Sequence, residues 1–144
     1  MLAARALVAV AARSVVEVEA IVSMSQLRIL VLVATRKQVN LGSVATELGV
    51  HPSNASRACD RLVEAGLLQR RDSTADRRNL VLELSLRGEA LVRSVVENRR
   101  AAMQAILSKM STQDRVELTP ALRAFAAAAG ENPADAGDAR LWLT

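Results

Sequence analysis

Apolar residues recur along this chain at the spacings of amphipathic helices, and one short stretch alternates as a strand does. From Leu2 to Ile21 the chain is rich in Ala and Val and has no Gly or Pro, which favours a helix. Its first dozen residues are apolar almost all round, and a helix of that kind must be buried on several sides. A partner helix or a second subunit is therefore expected to cover it.

A second helix is predicted from Ser23 to about Lys37. Ser23 and Gln26 have the spacing of a capping box, in which each side chain bonds the backbone amide of the other residue. The apolar run Ile29 to Ala34 could also form a strand, because periodicity alone does not separate the two. The capping box and the helix-forming residues around the run favour a buried helix.

Two short helices joined by a tight turn follow. Asn40 can cap a helix over Leu41 to Leu48, and Gly49 suits the left-handed position that ends many helices. Pro52 fits the first position of the next helix, which extends to Ala65 and is called the reading helix below. Short helices on both sides of a glycine-containing turn are typical of a helix-turn-helix motif.

A β-hairpin and two further helices complete the pattern. Leu80, Leu82 and Leu84 alternate with polar or smaller residues, which predicts a strand with one buried face. Paired with residues 67–71, it forms a hairpin of the kind called a wing. The helix over residues 86–110 is about 35 Å long, more than a winged-helix core needs, so it should pack on another helix. In the last helix, residues 112–129, Pro120 should cause a kink or a break.

These elements predict a mainly α chain with a small β-hairpin wing. A winged helix-turn-helix core is expected over residues 23–85, with dimerisation helices at 1–22 and 86–144, in one domain. The tail from Gly130 looks like a loop, and Trp142 suits an anchor against a subunit better than a ligand contact.

The reading helix has an apolar and a polar side at about 100° per residue. Its apolar side should pack on Val44 and Leu48. On its polar side, Asn can pair with adenine and Arg with guanine, whereas short Ser side chains let the backbone approach a major groove. A solvated surface is the alternative interpretation of any charged helix face. The apolar side comprises Ala55, Ala58, Cys59, Leu62 and Val63, and the polar side comprises Ser53, Asn54, Ser56, Arg57, Asp60, Arg61 and Glu64.

The charge of the chain is concentrated in the same region. The 144 residues have a formal net charge of +4, and six arginines lie between Arg57 and Arg78. Basic side chains at the tip of a wing can enter a minor groove, although a loop held by exposed ion pairs would look the same. Asp72 and Asp76 suit a role in orienting a neighbouring arginine. The four wing arginines are Arg70, Arg71, Arg77 and Arg78.

Composition excludes several other classes of protein. One Cys and one His exclude an intrachain disulfide and make a four-ligand zinc site implausible, and Cys59 is expected to be a small core residue. The sequence has no paired nucleophile and base and no glycine-rich phosphate loop, so neither an enzyme nor a cofactor is expected. Its apolar runs are too short to span a membrane. A reducing cytoplasm is the expected compartment.

Residues 41–88 resemble the multiple-antibiotic-resistance regulator (MarR) family. The resemblance lies in the segments Val44 to Val50, Pro52 to Arg57, Leu62 to Arg70, Asp76 to Arg78 and Leu84 to Gly88. An Asp-x-Arg wing followed by a strand and a Leu-Ser-x-x-Gly turn is its most specific part. Three features depart from the family pattern: His51 replaces a capping Ser or Thr, Pro120 interrupts a dimerisation helix, and the region before Ser23 is short.

The resemblance implies a homodimer that places each reading helix in a major groove and each wing in an adjacent minor groove. Arg78 would be the minor-groove residue and Asp76 its orienting partner. A repressor of a pseudo-palindromic operator on double-stranded DNA is implied, released by a small-molecule effector. The alternative is a winged-helix protein-interaction module without DNA binding. The predicted DNA-binding residues are His51, Ser53, Asn54, Ser56, Arg57, Arg61, Arg70, Asp76, Arg77 and Arg78.

Overall fold

The computed structural model describes residues 1–36, 39–72 and 80–130, and within them it contains six helices and one antiparallel hairpin. The predicted winged helix-turn-helix architecture is confirmed. Each predicted element is present, with ends that shift by at most three residues. The elements are α1 Leu2–Glu19, α2 Met24–Thr35, α3 Leu41–Leu48, α4 Pro52–Glu64, β1 Leu68–Asp72, β2 Leu80–Leu84, α5 Leu86–Leu107 and α6 Thr112–Ala128.

Local hydrogen bonds begin and end the first helices of the core as the sequence predicts. The backbone N–H of Ser23 donates to Gln26 Oε1 at 2.9 Å, and the N–H of Gln26 donates to Ser23 Oγ at 3.3 Å. Asn40 Oδ1 accepts from the Ser43 N–H at 2.8 Å, and Gly49 ends α3 at φ 63°. The run Ile29 to Ala34 is helical. Of the twelve residues of α2, six aliphatic residues and Thr35 are buried.

The core lies between α2, the helix-turn-helix pair and the hairpin. Leu30 of α2, Val44 of α3 and Leu62 of α4 have no exposed surface. Val39 adds a single β-bridge to the hairpin, since the N–H of Leu82 donates to its carbonyl at 2.7 Å. On the other side, α5 packs along both α1 and α2, so the long helix connects the N-terminal helix to the core.

One face of the hairpin is turned toward the core, but the core covers only part of that face. Leu68 pairs with Leu84 and Arg70 with Leu82. Leu82 is buried, whereas Leu80 is 54% exposed, so the prediction that all three leucines share a buried face is wrong for Leu80. Leu80 lies at the far end of the hairpin, opposite Asp72 and beyond the helices that cover Leu82.

The terminal helix α6 runs through Pro120 without a break, which corrects the expected interruption. Proline removes one backbone donor, so only the bond to the carbonyl of Val116 must be lost. None of the described residues of α6 is buried within the chain, so no other element of the chain encloses that carbonyl. No helix within residues 1–36, 39–72 and 80–130 is both long and apolar enough to cross a bilayer.

A cluster of contacts joins the end of α4 to the start of α5, and it is called the α4–α5 junction here. Ser85 Oγ donates to the carbonyl of Gly66 at 2.6 Å, and the Ser85 N–H donates to that of Leu67 at 3.1 Å. Arg87 Nη1 donates to the carbonyl of Ala65 at 3.2 Å. A Cβ added at Gly88 would lie 2.1 Å from the Leu67 carbonyl oxygen, so this approach requires glycine.

We therefore expect Gly88→Ala to lower the free energy of unfolding by about 2–3 kcal/mol, because the added methyl group must force the backbone of α5 away from the Leu67 carbonyl. Helix propensity alone would favour alanine by about 1 kcal/mol. Urea denaturation at one fixed protein concentration measures the difference. The control is Ala90→Gly, at an exposed site two residues along the same helix, which should cost about 1 kcal/mol. A Gly88→Ala protein as stable as wild type would show that the junction is not tightly packed.

Candidate nucleic-acid interface

The reading helix α4 begins with an unusual cap. His51 occupies the N-cap, and its Nδ1 accepts from the Ser53 N–H at 3.3 Å and lies 2.8 Å from Ser53 Oγ. A ring nitrogen that accepts an N–H carries no proton, so this arrangement leaves Nε2 to carry it. His51 therefore supplies a side-chain cap although it is neither Ser nor Thr, and its side chain lies next to Ser53 at the helix start.

The apolar side of α4 is held firmly against the core. Ala55, Cys59 and Leu62 are at most 1% exposed, and Ala58 and Val63 are half-buried. This side packs on α3, where Val44 is fully buried. The helix cannot rotate without exposing these side chains, so the direction of its polar side is fixed.

The opposite side of α4 presents the predicted contact residues to solvent. Ser53, Asn54, Arg57 and Arg61 are exposed, and Ser56 is half-buried. Arg57 Nε donates to the Ser53 carbonyl at 3.4 Å, which directs its side chain back toward the helix start. Neither Arg57 nor Arg61 forms an ion pair with any described residue. The structure thus brings hydrogen-bonding side chains and two cations onto one exposed surface.

The hairpin arginines are placed differently from those on α4. Arg70 forms an ion pair with Asp60 of the reading helix, and Arg71 Nη1 lies 3.3 Å from Glu83 Oε2 across the hairpin. Neither carboxylate partner was predicted from the sequence, although the alternation of residues 80–84 places Glu83 on the outer face. Asp76, Arg77 and Arg78, the other predicted wing residues, lie outside the described residues.

Comparison with known proteins places this geometry in a family. The family model named MarR matches residues 22–80. The transcriptional repressor MprA of Escherichia coli is 34% identical over 71 residues, which are 49% of this chain and 40% of MprA. The crystal structure of Rv1404 from Mycobacterium tuberculosis is 40% identical, with a TM-score of 0.75, over 92% of this chain and 90% of that one. The chain belongs to the MarR family.

Further comparisons of this MarR-family chain show a shared fold at lower sequence identity. The chain spans about half the length of the curated relatives it matches, 58% for one from Bacillus subtilis named as an HTH-type transcriptional regulator. The MepR F27L mutant of Staphylococcus aureus, bound to an oligodeoxyribonucleotide, has a TM-score of 0.65 at 16% identity over 88% of this chain and 92% of that one. MepR has also been solved bound to ethidium bromide. The curated relatives are named as transcriptional regulators or repressors, not as enzymes.

Cys59 is a packing residue of the reading helix in this MarR-family chain. Its side chain has no exposed surface. Burial raises the pKa of the thiol to about 11, the nearby Arg70 lowers it by a smaller amount, and Asp60 raises it. The thiol therefore stays protonated and covered, in agreement with the expectation of a small core residue.

We expect Cys59 to react slowly with thiol reagents in the native protein. With a pKa of about 11, roughly one thiol in a thousand is ionised at about pH 8. Labelling with iodoacetamide, followed by intact mass, should be negligible under native conditions and complete in urea. Labelling of the native protein at the rate seen in urea would mean that Cys59 is accessible.

Proposed function

We propose that this chain is a sequence-specific transcriptional regulator that reads double-stranded DNA with α4. The observation that carries the proposal is the exposed polar face of a helix whose other face is locked into the core. Arg57 and Arg61 are free of ion pairs with described residues, so their charge is available to an anionic partner. MepR, which shares this fold, has been solved with DNA.

The residues of the polar face suit different parts of a duplex. Asn54 and Arg57 have the side chains that pair bidentately with adenine and guanine in a major groove. His51 and Ser53 lie at the helix start, where the positive end of the helix dipole favours a phosphate. Ser56 and Arg61 extend the same surface, and we propose that Asp76, Arg77 and Arg78 carry the contact into the adjacent minor groove.

We further propose that two copies bind together through their terminal helices. Large apolar side chains remain exposed on α1 and α6, and the same helices of a second copy would cover them. A two-fold dimer binds two half-sites about one helical turn, 10 to 10.5 base pairs, apart, so the operator should be pseudo-palindromic. These side chains are Leu2, Leu7, Val8 and Val16 on α1 and Val116, Leu122 and Phe125 on α6.

Repression and release by a small molecule complete the proposal. MprA and a Bacillus subtilis relative, MdtR, are named as repressors, and MepR has been solved with ethidium bromide. A complex of this chain with its selected DNA, challenged with a panel of apolar and aromatic small molecules, tests release directly. Retention of the complex with every compound at saturating concentration would count against an effector of this chemistry.

The test of DNA binding starts from a duplex that the protein selects from a random pool. Affinity for that duplex should fall steeply with salt, because each phosphate contact releases condensed counterions. Asn54→Ala and Arg57→Ala should lose about 1–3 kcal/mol on it, and less on duplexes changed at the contacted base. Fluorescence anisotropy over a salt series measures both effects.

The control for this test is Arg28→Ala, which removes an exposed arginine of α2 and should leave sequence preference unchanged. Failure to select any duplex would refute DNA binding and favour the alternative of a protein-interaction module. Equal losses by Asn54→Ala and Arg57→Ala on every duplex would mean that these residues contact only phosphates.

For the dimer, we expect sedimentation equilibrium to give twice the chain mass at micromolar concentration. Phe125→Asp should shift the protein toward monomer, because it places a charge in a buried apolar interface. The matched control is Val50→Asp, at a position 41% exposed in the turn before α4. A wild-type protein that stays monomeric would rule out the dimer, and dissociation by Val50→Asp would place the interface elsewhere.

A further inference from the structure

The register of the hairpin directs Arg70 toward the reading helix. Residues directly opposite each other in an antiparallel pair share a face of the sheet. Arg70 lies opposite Leu82, which is 4% exposed and faces the core, whereas Arg71 lies opposite Val81 on the other face. Arg70 therefore starts from the face of the hairpin that is turned toward the helices, although its side chain remains partly exposed.

Asp60 of the reading helix is the ion-pair partner of Arg70. The Asp60 carboxylate and the Arg70 guanidinium form an ion pair between α4 and β1. Asp60 follows Ser53 and Arg57 at spacings of seven and three residues, so it lies on the same stripe of the helix as these predicted DNA contacts. Without Arg70, this stripe would present an unpaired negative charge where phosphates approach.

The ion pair joins the reading helix to the hairpin at a distance from the α4–α5 junction, so it restricts the angle between the two elements. Both elements leave the α4–α5 junction, where the carbonyls of Ala65 and Leu67 are held. Asp60 lies five residues before Ala65, about 7.5 Å along the helix. Arg70 lies three residues beyond Leu67, about 10 Å along the strand. A contact at this distance from the junction resists changes of the angle between the two arms.

We propose that Asp60 and Arg70 are positioning residues that set the angle between the reading helix and the wing, and that Arg70 binds no phosphate. This inference rests on the proposed function. It changes the role predicted for Arg70 from the sequence, which counted Arg70 among the DNA contacts. Arg70 and Asp60 are 36% and 42% exposed, so their pair should contribute little to global stability. Its effect appears when the helix and the wing must fit two grooves at once.

The test uses the full chain and two duplexes, the one the wild type selects and a scrambled one of equal length. Variants Asp60→Asn, Arg70→Gln and the double variant are measured by anisotropy over a salt series. In all three variants, the ratio of the affinity for the selected duplex to that for the scrambled duplex should fall roughly threefold. The effect is small because an exposed ion pair is weak. The double variant should lose no more than either single variant.

The salt dependence separates positioning from phosphate binding. Arg70→Gln should leave the slope of log affinity against log salt unchanged, whereas Asp60→Asn releases Arg70 to the phosphates and should steepen it by about one. The control is Glu47→Gln, which breaks the Arg36–Glu47 pair, 2.6 Å apart and similarly exposed, and should change neither quantity.

Two results would overturn the assignment. If Arg70→Gln flattens the slope by about one and preserves the affinity ratio, then Arg70 is a phosphate contact. If neither single variant changes the ratio, then the pair does not position the wing. A wild-type protein that selects no duplex would instead refute the proposed function itself, so the two failures are distinguishable.

Discussion

Three backbone carbonyls at the end of the reading helix hold the functional parts of the molecule in fixed relation. Those of Ala65, Gly66 and Leu67 accept hydrogen bonds from Arg87 and Ser85, the residues that start α5. The hairpin begins and ends at the same place, and Gly88 lets the helix backbone approach Leu67. The reading helix, the wing and the long helix that extends toward α1 therefore leave one rigid junction in set directions. A displacement there would move all three.

Much of this arrangement follows from local sequence. The capping side chains of Ser23 and Asn40, the left-handed Gly49 and Pro52 at a first helical turn each act within four residues, so the helix boundaries could be predicted. The division of α4 into two faces could be predicted as well, because it depends only on helical periodicity. These features sufficed to recognise the motif and the surface it exposes.

Features that depend on contacts between elements were harder to predict. Which way Arg70 points follows from its pairing with Leu82, which is a contact between two strands that are separate in the sequence. Leu80 fits the alternating pattern yet lies past the end of the covering helices. Pro120 has the local signature of a break, but α6 continues because no other element of the chain encloses it. In each case the deciding factor is what lies next to the residue in space.

The central claim is that two reading helices, held at a set separation, bind one duplex together. Inserting about five base pairs, half a helical turn, between the half-sites of the selected duplex turns one half-site to the opposite face of the DNA. We expect the affinity then to fall to that for scrambled DNA. Undiminished affinity for the duplex with the insertion would show that the two helices do not act together, and would contradict this claim.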